Sequence, residues 1–252
     1  GNPAGPCWNV LAYYVVDSAS GSPVTVTAHP EPVKFHDGNV MTTQDVAYSF
    51  WRWMIQDRDG GPQWMFFEHL LNGAAANYID GVEYDLTDPA AQALVGKMID
   101  HSVESNSTHV WFNLAFPGAY LPLLQILAGP WSSILSKDWI SEYVVGSLGR
   151  TAWSGEWGDY TEWVSFHSPS ASSLDGPTPV MCGTGPYMLE KWDYANGCLS
   201  LVKFEDYWRG WPCVLPAPPY PSNPLANHRP TGSVSKIILT WAYTWETRKN
   251  MF

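Results

Sequence analysis

The sequence predicts an α/β protein, and three features carry that reading. Apolar residues at helical spacing, such as Val46, Phe50, Trp53 and Met54, share the chain with short runs of two-residue alternation, such as Val110, Phe112 and Leu114. Two further alternating runs are joined at Asn196-Gly197, the strongest short hairpin signal. At 252 residues the chain is long enough for a sizeable core and for division into two compact parts.

Residues 24–28 alternate and read as a strand behind the turn formers of 18–23. Val33-Lys34-Phe35 reads as a short strand entering a turn at His36-Asp37-Gly38. Thr42 can cap a helix, and the Asp45 carboxylate three residues on suits a helix N-terminus. Asp59-Gly60-Gly61-Pro62 stops that helix. A second helix is predicted over 89–100, a strand over 107–114, a Pro-containing helix over 120–127 and a helix start at Ser136-Lys137-Asp138. Residues 146–179 are rich in Gly, Ser, Trp and Pro without a period and read as a long irregular connection. The hairpin covers 185–194 and 198–204. Residues 211–230 are too dense in proline for regular structure, 234–240 read as a strand, and 244–252 as a helix.

The formal charge of −11, with 24 acidic against 13 basic residues, lacks the cation clusters that a nucleic-acid backbone requires, so no nucleic-acid partner is expected. No segment reaches the 18 or so uninterrupted apolar residues of a membrane-spanning helix. Cys7, Cys182, Cys198 and Cys213 lack the paired short spacings of a zinc site. They admit three disulfide connectivities or buried thiols; the hairpin favours Cys182 with Cys213. His29 with His36, and Asp57 with Asp59, have no metal-ligand spacing. No cofactor is implied, since Gly183-Thr184-Gly185 lacks the third Gly and the following Lys of a phosphate loop.

Aromatic content is the compositional anomaly, with 15 Trp and 13 Tyr. Trp153, Trp157, Tyr160 and Trp163 lie in the irregular connection, interleaved with Glu156, Asp159 and Glu162. Such rings suit core packing and equally suit stacking on a sugar or a peptide. Two carboxylates beside aromatics are also the equipment of a glycoside hydrolase, with Glu156 and Glu162 as the pair. A catalytic pair normally comes from separate rigid elements, whereas these carboxylates share one loop, so no catalytic residue is assigned. Asn106-Ser107-Thr108 is a glycosylation-type triplet just before a strand.

Three separated stretches carry a family resemblance. They are Val33-Lys34-Phe35-His36-Asp37-Gly38 with Thr42 to Phe50; Gly183-Thr184-Gly185-Pro186-Tyr187 with Trp192 and Asp206-Tyr207-Trp208-Arg209-Gly210; and Val234 to Leu239 followed by Thr247-Arg248. Together these resemble extracellular solute-binding protein family 5, whose members serve oligopeptide, dipeptide and nickel ABC importers. The resemblance implies a type II periplasmic-binding-protein-like α/β fold of the three-subdomain kind. It places 1–45 and 166–252 in ligand-binding lobe I and 46–165 in an accessory subdomain, with lobe II absent, so the chain alone is expected to bind its solute poorly. It further implies a monomer outside the cytoplasm, in the periplasm or at the outer cell surface, tethered by a further N-terminal segment in some members. An oligopeptide ligand, with an oligosaccharide as the alternative, and a membrane permease as partner also follow from it. The motifs themselves read as scaffold, with Gly38, Gly183 and Gly185 supplying turn conformations, so that valine at 185 is expected to harm the fold rather than ligand choice. The aromatic platform is expected at Trp153, Trp157, Tyr160 and Trp163.

Overall fold

A computed structural model describes residues 8–11, 32–57, 61–71, 85–115, 119–176, 178–208, 234–241 and 249. The expected strand at 24–28, the proline-dense stretch and, apart from Lys249, the C-terminal helix lie outside the described residues, as does the stop signal apart from Gly61 and Pro62. The chain forms two compact units: Gly1–Pro30 with Thr42–Ser173, and Glu31–Met41 with Leu174–Phe252.

In the first unit, helix α1 (Thr43–Gln56) begins where the sequence signals it. The Thr42 side chain accepts from the Asp45 backbone N–H, and the Asp45 carboxylate accepts from the Thr42 backbone N–H at 2.8 Å and from its hydroxyl at 2.7 Å. Asp45 is buried and uses its second oxygen to accept from the Lys137 N–H at 2.8 Å. One carboxylate thus closes the start of α1 and fixes the entry to a later helical stretch.

Around α1 pack α2 (Trp64–Leu70), α3 (Pro89–Ser102) and a three-stranded antiparallel sheet ordered β1 (Trp8–Leu11), β3 (Val110–Leu114), β2 (Val103–Ser105). Asp88 caps α3, and Pro89 takes the first helical position, where its missing N–H removes nothing. Phe50 meets Phe66 and Phe112 edge-on, with both centroid separations 5.0 Å. Helix α4 (Tyr120–Leu127) holds Leu123 in the core, and Lys137–Trp139 continues into wider π-type turns over Ile140–Ser147 that bury Ile140 and Val144. The expected strand at 107–114 starts only at Val110, because Asn106 to His109 form the tip of a β2–β3 hairpin closed by the Asn106 N–H donating to the His109 carbonyl at 2.9 Å.

The second unit contains an antiparallel sheet of β4 (Tyr187–Asp193), β5 (Cys198–Lys203) and β6 (Lys236–Thr240) in that order. Asn196-Gly197 ends the four-residue loop of the β4–β5 hairpin: Gly197 has φ of +58° and donates to the Tyr194 carbonyl at 3.2 Å. Among the described residues Cys182 and Cys198 have no disulfide partner, and Cys213, the expected partner of Cys182, lies outside the described residues.

Val33-Lys34-Phe35 makes a single bridge, Lys34 to Val40, rather than the expected strand. The turn closes too early for a ladder: Phe35 N–H donates to Asn39 at 2.8 Å, and Gly38 N–H to Phe35 at 2.9 Å. Gly38 does supply the left-handed conformation, with φ of +93°. Gly185 does not: its φ is not positive and a Cβ there meets nothing within 4 Å, so neither backbone strain nor a Cβ clash stands behind the expected harm from valine.

His36 holds the Gly183-to-Gly185 segment instead. Its backbone N–H donates to the Gly183 carbonyl at 2.9 Å, and its ring lies 2.9 Å from the Gly185 carbonyl through Nε2 and 3.3 Å from the Gly183 N–H through Nδ1. A carbonyl only accepts and an N–H only donates, which assigns the proton to Nε2 and makes the ring neutral. Burial lowers the His36 pKa below 6.5, although the Gly185 carbonyl and the Asp37 charge pull the other way. A base whose folded pKa is depressed contributes stability above its unfolded pKa, and that contribution fades as pH falls below 6.5 toward the folded value. The second unit is therefore expected to melt at lower temperature as pH drops from 8 to 5. His36→Gln, which keeps one donor and one acceptor, is expected to remove this part of the pH dependence; an unchanged profile would refute the assignment.

Candidate functional site

The loop carrying the expected aromatic platform starts after the π-type turns and is held by α1 and α3. Trp153 is only 2% exposed. The Tyr48 hydroxyl on α1 donates to its carbonyl at 3.1 Å, and the two rings stack with centroids 5.9 Å apart. Trp157 sits edge-on to Trp153 at 4.7 Å and to Trp51 at 5.7 Å, and Tyr160 stacks on Trp157 at 5.6 Å. Trp163, in a 3-10 turn over Glu162–Phe166, is 1% exposed and donates its indole N–H to the Gln92 carbonyl of α3 at 3.0 Å.

The structure thus brings Trp153, Trp157 and Tyr160 into one cluster of rings and puts Trp163 on α3. Trp153 and Trp163 are enclosed side chains, whereas Trp157 and Tyr160 remain half-buried. Helix packing explains the division. Gly96 of α3 leaves so little room that a Cβ there would lie 2.9 Å from the Trp163 indole nitrogen, so the indole fills the space a side chain would take.

Three residues at this cluster are not legible as site residues in the sequence: Trp51, Lys97 and Asp100. The Tyr160 hydroxyl donates to Asp100 Oδ2 at 2.8 Å, Lys97 Nζ lies 5.6 Å from the Tyr160 ring centroid, and the Trp51 indole donates to the Asp100 carbonyl at 3.2 Å. Burial raises the Asp100 pKa from its ordinary value, the Tyr160 hydroxyl partly offsets this, and Glu104 adds to the rise. The hydrogen bond to Asp100 in turn raises the Tyr160 pKa. The Trp157 N–H has no acceptor in full hydrogen-bond geometry, and its influence on Asp100 is the smallest of those acting. Tyr160 adopts φ of +68°, a left-handed conformation unusual for an aromatic residue, which the stack and the Asp100 bond hold in place.

The acidic residues of the loop have other partners. Glu156 pairs with Lys137 at 2.5 Å, and Asp159 accepts from the Thr161 N–H at 3.0 Å and hydroxyl at 2.6 Å, which holds its pKa down. Glu162 is exposed at the start of the 3-10 turn. Among the described residues no group of three or more His, Cys, Asp or Glu side chains is placed to hold a metal ion, and His29 and Asp59 lie outside them. No described helix is long and apolar enough to cross a membrane.

The family model for bacterial extracellular solute-binding proteins, family 5 Middle, matches residues 31–227. The chain belongs to that family. Members bind solutes, and the mixed helix and strand architecture accords with the type II binding-protein fold that the sequence motifs imply. This family 5 chain is similar to Listeria monocytogenes OppA bound to peptide, with 16% identity and a TM-score of 0.49 over 96% of this chain and 38% of that one. It is also similar to MppA, a periplasmic murein tripeptide binding protein in its unliganded open form, with 18% identity and a TM-score of 0.44 over 87% and 30%. The family 5 chain thus spans well under half the length of either. No curated protein matches it.

Proposed function

We propose that the protein is the extracytoplasmic solute-binding component of an ABC importer and that it captures oligopeptides without catalysing a reaction on them. The observation that carries this reading is the family match over 31–227. Oligopeptide is the leading solute class because it is the commonest role in the family that the scaffold motifs around His36 and Gly183 resemble. In this reading the unit holding Thr42–Ser173 is the accessory subdomain, and the unit of Glu31–Met41 with Leu174–Phe252 is the ligand-binding lobe. Closure of such a lobe on a second one traps the solute, and a membrane permease receives it. Trp157 and Tyr160 supply the loop's half-exposed ring surface toward solute, with Trp153 packed edge-on behind Trp157 and Trp163 holding the loop to α3.

A thermal-shift series tests the proposal on the 252-residue chain and on a form extended through a second lobe. Peptides of two to five residues are set against cello- and manno-oligosaccharides. A ligand present at about 100 times its Kd stabilises by about 2.7 kcal/mol. The extended form is expected to melt higher with peptides and to be unmoved by the sugars. The 252-residue chain is expected to respond weakly, because one wall cannot enclose the roughly 70–90% of ligand surface that a small-molecule site buries. Stabilisation by the oligosaccharides alone would overturn the peptide reading, and equal tight binding by both forms would overturn the half-site.

A further inference from the structure

Asn106 is the one asparagine in the sequence followed by a residue other than proline and then by Ser or Thr. It occupies the first position of the β2–β3 turn, whose residues Asn106, Ser107, Thr108 and His109 are all exposed. Its side-chain oxygen accepts three hydrogen bonds: from the Thr108 N–H at 2.8 Å, the Thr108 hydroxyl at 3.1 Å and the His109 N–H at 2.8 Å. Three donors on one atom identify it as Oδ1, so the amide nitrogen Nδ2 is the other branch, and no hydrogen bond engages it among the described residues. The Thr43 hydroxyl donates to the Asn106 carbonyl and ties the turn to the start of α1.

We propose that Asn106 is an acceptor for an N-linked oligosaccharide in the folded protein. The triplet provides the recognition pattern, and the turn provides a presented nucleophile. Donors on Oδ1 draw electron density from the amide and make the Nδ2 protons more acidic, while Nδ2 stays open to solvent. The co-reactant is an oligosaccharide on a polyprenyl pyrophosphate. Nδ2 forms a bond to the sugar C1, the C1–O bond to pyrophosphate breaks, the polyprenyl pyrophosphate leaves, and one amide proton passes to a base of the transferring enzyme. A bulky group at this tip projects from exposed residues and displaces no core contact. Occurrence in the cell rests on the extracytoplasmic reading, whereas acceptor competence belongs to the folded turn.

The folded 252-residue chain is incubated with an oligosaccharyltransferase and a polyprenyl-pyrophosphate-linked oligosaccharide, then mapped by peptide mass spectrometry. The expected result is one glycan, on Asn106, retained in Thr108→Ser and lost in Asn106→Gln and Thr108→Ala. Unchanged melting of these exposed-turn variants would show that the loss is not misfolding. No glycan on the folded wild-type chain overturns the proposal, whether or not the urea-unfolded chain accepts one, and so does a glycan that persists in Asn106→Gln. Export plays no part in this assay, so failure of the extracytoplasmic reading, measured by cell fractionation, is a separate result.

Discussion

Trp163→Ala is expected to destabilise the unit containing Thr42–Ser173 by about 3–5 kcal/mol, the range for removing a large buried aromatic. The indole is 1% exposed, seals the gap over Gly96 and gives the Gln92 carbonyl a donor. Removing it leaves a cavity beside a helix backbone that cannot collapse far. It also releases one of the loop's anchors, beside the Tyr48 hydroxyl on the Trp153 carbonyl and the Tyr160 hydroxyl on Asp100. The measurement is the urea midpoint at constant m-value, following a probe in this unit. A loss below about 1 kcal/mol would show that Trp163 lies at a yielding surface and would reopen it as a ligand-facing side chain.

Gly155→Ala is expected to cost about 2–4 kcal/mol, from two causes acting at one atom. Gly155 has φ of +82°, and its added Cβ would stand 2.7 Å from Tyr48 Cδ2 and 2.9 Å from Lys137 Cε. The tyrosine cannot step aside, because its hydroxyl is bonded to the Trp153 carbonyl and its ring is stacked on the indole. Gly158 is the internal control: its φ is +54° but a Cβ there meets nothing within 4 Å, so Gly158→Ala carries only the backbone penalty of roughly 1–2 kcal/mol. Equal losses at the two positions would show that the contact with Tyr48 is soft.

What could be read from the sequence was local. The Thr42–Asp45 cap, the proline opening α3 and the Asn196-Gly197 turn are each decided within a few residues, and the structure shows all three. The β2–β3 hairpin escaped notice because β2 is three residues long and follows α3 without a break. The aromatic loop shows the same limit at the site. Whether an indole faces solvent or core depends on partners far along the chain: Trp153 is fixed by Tyr48, 105 positions away, and Trp163 by Gln92, 71 away. No periodicity inside the loop encodes those distances. At Gly185 the residue type misled, because the segment takes its shape from a histidine ring 149 positions earlier rather than from glycine's own freedom.

The bonds between His36 and the Gly183-to-Gly185 segment have a consequence for synthesis. At about 5–20 residues per second, a ribosome making this chain takes roughly 7–30 s to deliver the partners of His36, which lie 147 and 149 positions downstream. During that interval residues 31–41 have been made but the partners that seat His36 have not. The unit of Thr42–Ser173 can fold in the meantime, since all of its sequence emerges first. Once folded, it replaces a long flexible loop with an ordered insertion, so the later strands meet the waiting segment without paying the full entropy of closing a coil of that length. A substitution that only slows folding of the earlier unit, without weakening it at equilibrium, would therefore lower the yield of the later one.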